Sequence, residues 1–155
     1  MRIRPEEASD RAGVRAVHEA AFGGAAEADL VDALRGAPGS VSLVAELEGR
    51  VVGHLLLSLA QVDDGPILAL APMGVLPDFQ RRGVGSALVR AALEAVGDAD
   101  VVVLGHPGFY PRFGFVPARA LGVLPPFEVP DEAWMVRLGR PRHGTVRYPP
   151  AFDKV

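Results

Sequence analysis

The sequence contains no cysteine, a single lysine (Lys154) and no excess of either charge, with 16 basic and 19 acidic residues among 155. The absence of cysteine excludes disulfides, zinc–thiolate sites and a covalent mechanism through a thiol. The small negative net charge argues against a general nucleic-acid-binding protein, which would carry a basic excess.

Long apolar stretches are also missing. The longest nearly uncharged stretch, residues 65–76, contains Pro66, Pro72 and Gly74 and is too short to span a bilayer. The first seven residues run into charge with no apolar segment behind them, unlike a signal peptide. We therefore expect a cytoplasmic protein that has neither a membrane nor a nucleic acid as its partner.

The remaining composition, 49% hydrophobic and 23% charged, is that of an ordinary globular protein. The length fits one domain better than two, and no repeat or linker divides the chain. We predict a single domain over residues 1–155, with an irregular tail over residues 141–155.

Hydrophobic periodicity predicts both helices and strands. Helical spacing follows Ser9, the expected N-cap, and returns over residues 27–35 and 83–96. Strands are predicted at residues 2–4, 41–47, 50–59, 67–75, 100–104 and 133–138. Pro72 and Gly74 are expected to break the fourth strand near its end. The pattern indicates an α/β fold, with a mixed sheet, helices on both faces and one parallel strand–helix–strand unit.

The most informative segment is residues 73–86, where a buried strand ends, the chain turns, and the motif Gln80-Arg81-Arg82-Gly83-Val84-Gly85 opens a helix. Glycines let a ligand approach the backbone closely. The free amides of a first helical turn attract anions, and two arginines can grip phosphate oxygens. The segment predicts a cradle for a pyrophosphate group.

Other glycine motifs fit less well. A P-loop needs a lysine after its last glycine, where this chain has Ser86, and the dinucleotide fingerprint needs a different glycine spacing. No Gly-x-Ser-x-Gly elbow supports a serine hydrolase. The remaining alternative is a helix that begins at flexible glycines, with two arginines exposed to solvent and no bound ligand.

The motif Gln80–Gly85 matches the signature (Gln/Arg)-x-x-Gly-x-(Gly/Ala), and the chain resembles the GNAT superfamily of acetyl-CoA-dependent N-acetyltransferases from about Arg2 to Leu138. Residues 103–115 and 146–152 look like its YhbS-like subgroup. The resemblance implies a three-layer α/β/α sandwich around a central mixed, mostly antiparallel sheet. It also implies acetyl-CoA as cosubstrate, no metal, and a homodimer as the assembly.

The resemblance further implies roles for individual residues. The backbone of Met73, Gly74 and Val75 would bind the pantetheine arm, and an amide in this stretch would stabilise the oxyanion formed at the thioester carbonyl. The residues that would hold the pyrophosphate are Gln80, Arg81, Arg82, Gly83, Val84, Gly85 and Ser86.

Tyr110 corresponds to the tyrosine that many family members use as general acid for the thiolate leaving group. The alternative is an aromatic residue that only packs among its neighbours. His106 stands where many relatives carry an asparagine that contacts the cofactor. It binds cofactor or substrate, takes part in proton transfer, or caps the following turn.

The sequence does not fix the base that deprotonates the amine. Glu46 and His54 on the predicted hairpin are the nearest candidates, although strand residues of these types are more often solvated or satisfied. His18 is expected to pack at the edge of the core and His143 to be solvated. No cluster of His, Asp or Glu has the spacing of a metal site.

Together these features predict an N-acetyltransferase that moves an acetyl group from acetyl-CoA to a primary amine by direct attack in a ternary complex. A non-catalytic acyl-CoA sensor and a structural domain that binds nothing are the alternatives. The identity of the amine does not follow from the sequence. We expect residues 9–35 and 125–130 to form the walls of the site that binds the acceptor amine.

Overall fold

The structure, a computed structural model, describes all residues from 1 to 155. The three α-helices are α1 (Arg11–Phe22), α2 (Ala26–Leu34) and α3 (Val84–Val96). The nine strands are β1 (Arg2–Pro5), β2 (Val41–Leu47), β3 (Arg50–Val62), β4 (Gly65–Val75), β5 (Val101–Leu104), β6 (Val116–Pro117), β7 (Val123–Leu124), β8 (Trp134–Arg137) and β9 (Gly144–Thr145). None of the helices combines the length and the apolar character that a membrane span requires.

Seven strands form one sheet in the order β1-β2-β3-β4-β5-β8-β6, and β7 pairs with β9 separately. Every pairing in the large sheet is antiparallel except that of β4 with β5, which are joined through α3. The predicted mixed, mostly antiparallel sheet and its one parallel strand–helix–strand unit are confirmed.

The helices cover both faces of the sheet because successive strand residues point to opposite sides. Leu43 and Leu55 belong to one buried cluster that includes Leu88 of α3. The next residues along these strands, Val44 and Leu56, belong to a different cluster with side chains of α1 and α2. The result is the three-layer α/β/α arrangement.

The β2–β3 hairpin turns at Glu48 and Gly49, as predicted. Their φ angles are 53° and 77°. Positive φ at both central residues is what a type I′ turn requires, and this turn matches the twist of the strands it joins.

The N-terminus of α1 differs from the prediction. Ser9 lies in a short 3-10 turn, Ala8–Asp10, and does not cap the helix. The Asp10 carboxylate instead accepts the Glu7 backbone N–H at 2.7 Å. Arg4 holds that carboxylate in place through a hydrogen bond of 2.7 Å from its guanidinium, which is also an ion pair that an uncharged serine cannot form.

The end of β4 also departs from the prediction. The strand continues through Pro72 and Gly74 to Val75, because β3 pairs with it along this side. The pairing is irregular at Pro72, since the register shifts between Leu55 and Leu57 of β3, but the strand does not end there. On the other side β5 pairs with β4 only at Leu68 and Ala69. The two strands separate beyond this point and leave an opening at the edge of β4.

The C-terminal tail has little regular structure, as expected, but a buried anchor holds it. The Arg142 guanidinium, 5% exposed as a residue, donates to Asp100 at 2.8 Å, to Asp64 at 3.0 Å and to the Pro66 carbonyl at 2.7 Å. A buried charge needs such compensation to be tolerated. The anchor lies shortly before the segment Pro150–Lys154, which packs beside α2.

Candidate active site

Two cavities lie where β4 and β5 separate. The first, which we call the cradle, has a volume of about 520 Å³. It is lined by Met73, Val75, Phe79, Gln80, Arg81, Gly83, Gly85, Ser86, Phe109 and Arg112. The second, the apolar cavity, has a volume of about 420 Å³. It is lined by Phe22, Glu27, Leu30, Leu70, Ala71, Pro72, Met73, Leu104, Tyr110, Phe127, Tyr148, Phe152 and Val155. Met73 lines both.

The cradle is formed by the loop between β4 and α3. The Gln80 side-chain amide donates to the Val75 carbonyl at 3.0 Å and ties the loop to the end of β4. Arg81 and Gly83 have left-handed φ angles of 63° and 84°. Left-handed residues in such a turn direct successive N–H groups toward one side, which makes a concave site for an anion.

The amides of this loop are available to a ligand. No backbone amide from Arg81 to Ser86 donates to a backbone carbonyl, and the first bond of the helix runs from Ala87 N–H to the Gly83 carbonyl at 3.0 Å. Gly85 also leaves space inside the cradle, which a Cβ would occupy in van der Waals contact with Met73 Cε and Phe109 Cζ, at 3.6 Å from each. The residues present therefore fit a diphosphate.

Sequence reasoning missed three residues of the cradle: Phe79, Phe109 and Arg112. The Arg112 guanidinium lies 5.8 Å from the centre of the Phe109 ring, a cation–π distance. Arg112 sits next to the Tyr110 segment singled out from the sequence. Its approach to a loop about thirty residues away is a tertiary contact with no local sequence signal.

Four predicted cofactor-binding residues do not line the cradle with their side chains. The Val84 side chain is buried in the cluster that includes Leu88 of α3. The Arg82 guanidinium carbon lies 5.6 Å from the centre of the Phe79 ring. Gly74 faces α1, where a Cβ would lie 2.9 Å from His18 Nδ1. His106 accepts the Gly108 backbone N–H at 3.0 Å and caps the turn before Tyr110.

Tyr110 is fixed between the two cavities. Its ring packs edge-on against Phe109 and Phe115, at centroid distances of 5.0 and 5.6 Å. Tyr110 lines the apolar cavity, whereas Phe109 lines the cradle. Burial raises the pKa of Tyr110 to about 12, so its hydroxyl stays protonated at neutral pH and can donate a hydrogen bond.

The position of Tyr110 depends on Gly105, because a Cβ at residue 105 would lie 2.2 Å from Tyr110 Cε2. We expect Gly105→Ala to displace the ring and, with Tyr110 as the predicted general acid, to lower kcat by about tenfold or more, since misplacing a reacting group by about 1 Å has a cost of this size. Steady-state kinetics measures the effect. Gly24→Ala is the control, since a Cβ there meets nothing within 4 Å. Equal kcat in the two variants would contradict this dependence.

Neither candidate base reaches the cavities. Glu46 forms an ion pair with Arg4 at 2.6 Å. His54 is fully buried, and its ring nitrogens lie 2.8 Å from His18 Nε2 and 2.7 Å from Ser42 Oγ. With both nitrogens engaged inside the protein, His54 cannot accept a proton directly from a substrate.

The hydrogen bonds around His54 fix the direction of each donor. The Ser42 hydroxyl donates to Glu6 at 2.7 Å, so its oxygen accepts from His54 Nε2–H. His54 Nδ1 then accepts from His18 Nε2–H. Burial lowers the pKa of His18 to about 4 and that of His54 to about 3. Both rings are therefore neutral, and the predicted burial of His18 is confirmed.

The side chain of His143 is 72% exposed, as predicted. It lies in the tail near Asp64, with its Nδ1 3.7 Å from that carboxylate. It lines neither cavity. His143 is therefore a surface residue of the anchor region.

Known proteins share both the sequence and the fold of this chain. The sequence is 40% identical over 143 residues to the uncharacterized N-acetyltransferase YjhQ of Escherichia coli strain K12, across 83% of this chain and 79% of YjhQ. The crystal structure of the GNAT family N-acetyltransferase YhbS from Escherichia coli in complex with CoA superposes with a TM-score of 0.88 at 29% identity. That match covers 98% of this chain and 91% of YhbS.

A GNAT family acetyltransferase from Brucella melitensis, solved in complex with acetyl-CoA, superposes with a TM-score of 0.81 at 34% identity. That match covers 98% of this chain and 97% of the Brucella protein. The family described as acetyltransferase (GNAT) matches residues 11–115, which include both the cradle loop and Tyr110. The predicted resemblance is confirmed: this chain belongs to the GNAT family of acetyltransferases.

Proposed function

We propose that the protein transfers an acetyl group from acetyl-CoA to a primary amine by direct attack, with the cofactor and the amine bound together. The observation that carries this proposal is the pair of cavities that share Met73. One is a cradle with free amides and arginines, and the other is an apolar cavity with a protonated tyrosine. Two adjoining sites are what a ternary complex requires.

Acetyl-CoA supplies the activated thioester when bound. In the cradle, the free amides of residues 81–86 and the guanidinium groups of Arg81 and Arg112 would hold its diphosphate. The edge of β4 from Met73 to Val75 has no strand partner on the β5 side. Its backbone groups would bind the pantetheine arm, and a backbone amide there would stabilise negative charge on the thioester oxygen.

Direct transfer forms a bond between nitrogen and the acetyl carbon and breaks the carbon–sulfur bond. The amine loses a proton to water, and the departing sulfur accepts one from the Tyr110 hydroxyl, which regains it from solvent. The chain has no cysteine that could form an acyl-enzyme, which favours this route. His106 as a cofactor contact stays a prediction, since its ring already caps a turn.

Isothermal titration with acetyl-CoA, followed by an assay of thiol release with a panel of amines, tests the proposal. We expect binding in the micromolar range, typical of enzyme substrates, and turnover with at least one amine. Binding without turnover would favour the acyl-CoA sensor. Absence of binding would exclude both the enzyme and the sensor.

The contribution of the cradle arginines can be measured separately. We expect the double substitution Arg81→Gln/Arg112→Gln to weaken acetyl-CoA binding about tenfold, because charge-assisted hydrogen bonds contribute about 1.5–3 kcal/mol when shielded and less near solvent. Isothermal titration measures the dissociation constant. Arg11→Gln is the control, because it removes an exposed charge of α1 outside both cavities. A dissociation constant unchanged by the double substitution would place the diphosphate elsewhere.

A further inference from the structure

Exposed apolar side chains gather around one opening of the protein. Eight large hydrophobic residues are exposed, and four of them line the apolar cavity. These four are Phe22 (47% exposed), Leu104 (43%), Phe127 (45%) and Val155 (56%). Apolar surface gathered in this way marks a binding site, whereas single exposed hydrophobic residues need no explanation.

The aromatic side chains of this cavity are held in place by their neighbours. Phe127 stacks on Tyr148 with an interplanar angle of 14°, and Tyr148 lies 4.7 Å from Phe152. Phe22, from α1, stacks on the buried His18 ring at 5.9 Å. Rings that are already fixed lose little entropy when a ligand binds, so the cavity is pre-organised for an apolar group.

The charge of the cavity also restricts which amines it can bind. Glu27 is the only charged side chain among its lining residues, and it takes part in none of the ion pairs of the protein. One carboxylate can compensate one ammonium group. The further charges of a polycation would find no charged side chain as a partner among the other lining residues.

We infer that the acceptor is a small primary monoamine whose skeleton is aromatic or a large branched hydrocarbon. The skeleton fills the apolar cavity, Glu27 draws in the single ammonium group, and the nitrogen reaches the thioester beside Met73 and Tyr110. The cavity volume of about 420 Å³ lies in the range of small-molecule sites. This inference rests on the proposed function and narrows its substrate.

A comparison of amines tests the inference. We expect kcat/KM for 2-phenylethylamine to exceed that for the dication putrescine and for the polycation kanamycin by at least about tenfold, since neither of these offers an aromatic or branched apolar skeleton that fills the cavity. A short peptide that begins with phenylalanine is included, because it presents the same ring on a larger body. The assay follows thiol release from acetyl-CoA.

Two pairs of variants test whether the amine binds in the apolar cavity. Phe127→Ala is expected to lower kcat/KM for 2-phenylethylamine about tenfold by removing an aromatic wall. Leu121→Ala, which removes an equally exposed apolar side chain outside the cavity, is expected to have no effect. Glu27→Gln should also lower kcat/KM, whereas Glu94→Gln on the far helix α3 should not.

A binding measurement does not depend on turnover. Titration of 2-phenylethylamine into the full-length protein at several temperatures should give a negative heat-capacity change, the signature of apolar burial. Faster turnover of putrescine, kanamycin or the peptide, or equal effects of Phe127→Ala and Leu121→Ala, would overturn the inferred substrate class. If acetyl-CoA still binds, the proposed function survives that result, and if it does not bind, both fail.

Discussion

Replacing Tyr110 with phenylalanine is expected to lower kcat by a factor of about 100 or more, the usual contribution of a general acid. The ring would stay in place, because it is held by Phe109, Phe115 and the space left by Gly105. Only the proton donor is removed. The dissociation constant of acetyl-CoA is therefore expected to stay within about twofold, since Tyr110 lies outside the cradle.

Tyr148→Phe provides the comparison, because Tyr148 is the other tyrosine of the chain and lines the same cavity. It removes a phenol from a half-buried position among the aromatic rings of the tail. We expect its effect to appear mainly in KM for the amine. A loss of kcat as large as that of Tyr110→Phe would show that neither phenol is a specific acid.

Acidification below pH 6.5 is expected to destabilise the protein through the His18–His54 pair. In the unfolded chain both imidazoles have a pKa near 6.5, whereas burial holds the pKa of His18 at about 4 and that of His54 at about 3. Between pH 6.5 and 4 the unfolded state therefore binds protons that the folded state does not. The stabilisation is complete above pH 6.5 and falls by up to about 1.4 kcal/mol per pH unit for each ring.

Urea unfolding between pH 7 and 4.5 measures this slope. His18→Gln keeps an amide donor that can reach His54 but does not titrate, so the free energy of unfolding should fall less steeply with decreasing pH. His143→Gln removes an exposed histidine and should leave the wild-type slope. If the slope of His18→Gln equals that of the wild type, other groups govern the acid sensitivity.

Most of the cradle was predictable from the sequence because most of its residues are close together along the chain. Seven of the predicted residues (Met73, Val75, Gln80, Arg81, Gly83, Gly85 and Ser86) lie within one strand–turn–helix unit and line one cavity. Local geometry decides this site, since the end of a strand, a turn and the first turn of a helix follow each other along the chain. The β2–β3 hairpin was predictable for the same reason.

The apolar cavity was predictable only in part. The predicted walls, residues 9–35 and 125–130, contribute Phe22, Glu27, Leu30 and Phe127. Tyr148 and Phe152 come from a tail with no periodicity, and nothing in its sequence shows where it packs. The environment of His54 could not be predicted either. The alternation of residues along a strand does not reveal that His18 of α1 forms a hydrogen bond with it.

The Arg142 anchor connects the C-terminal tail to distant parts of the chain. Its partners, Asp64, Asp100 and the Pro66 carbonyl, lie 78, 42 and 76 positions away along the chain. The anchor therefore couples the tail to the starts of β4 and β5, so the side of the apolar cavity made by Tyr148 and Phe152 depends on two carboxylates that lie outside the cavity. The cradle has no residue in common with this tail. A change at Arg142 is therefore expected to disturb the apolar cavity and to leave the cradle as it is.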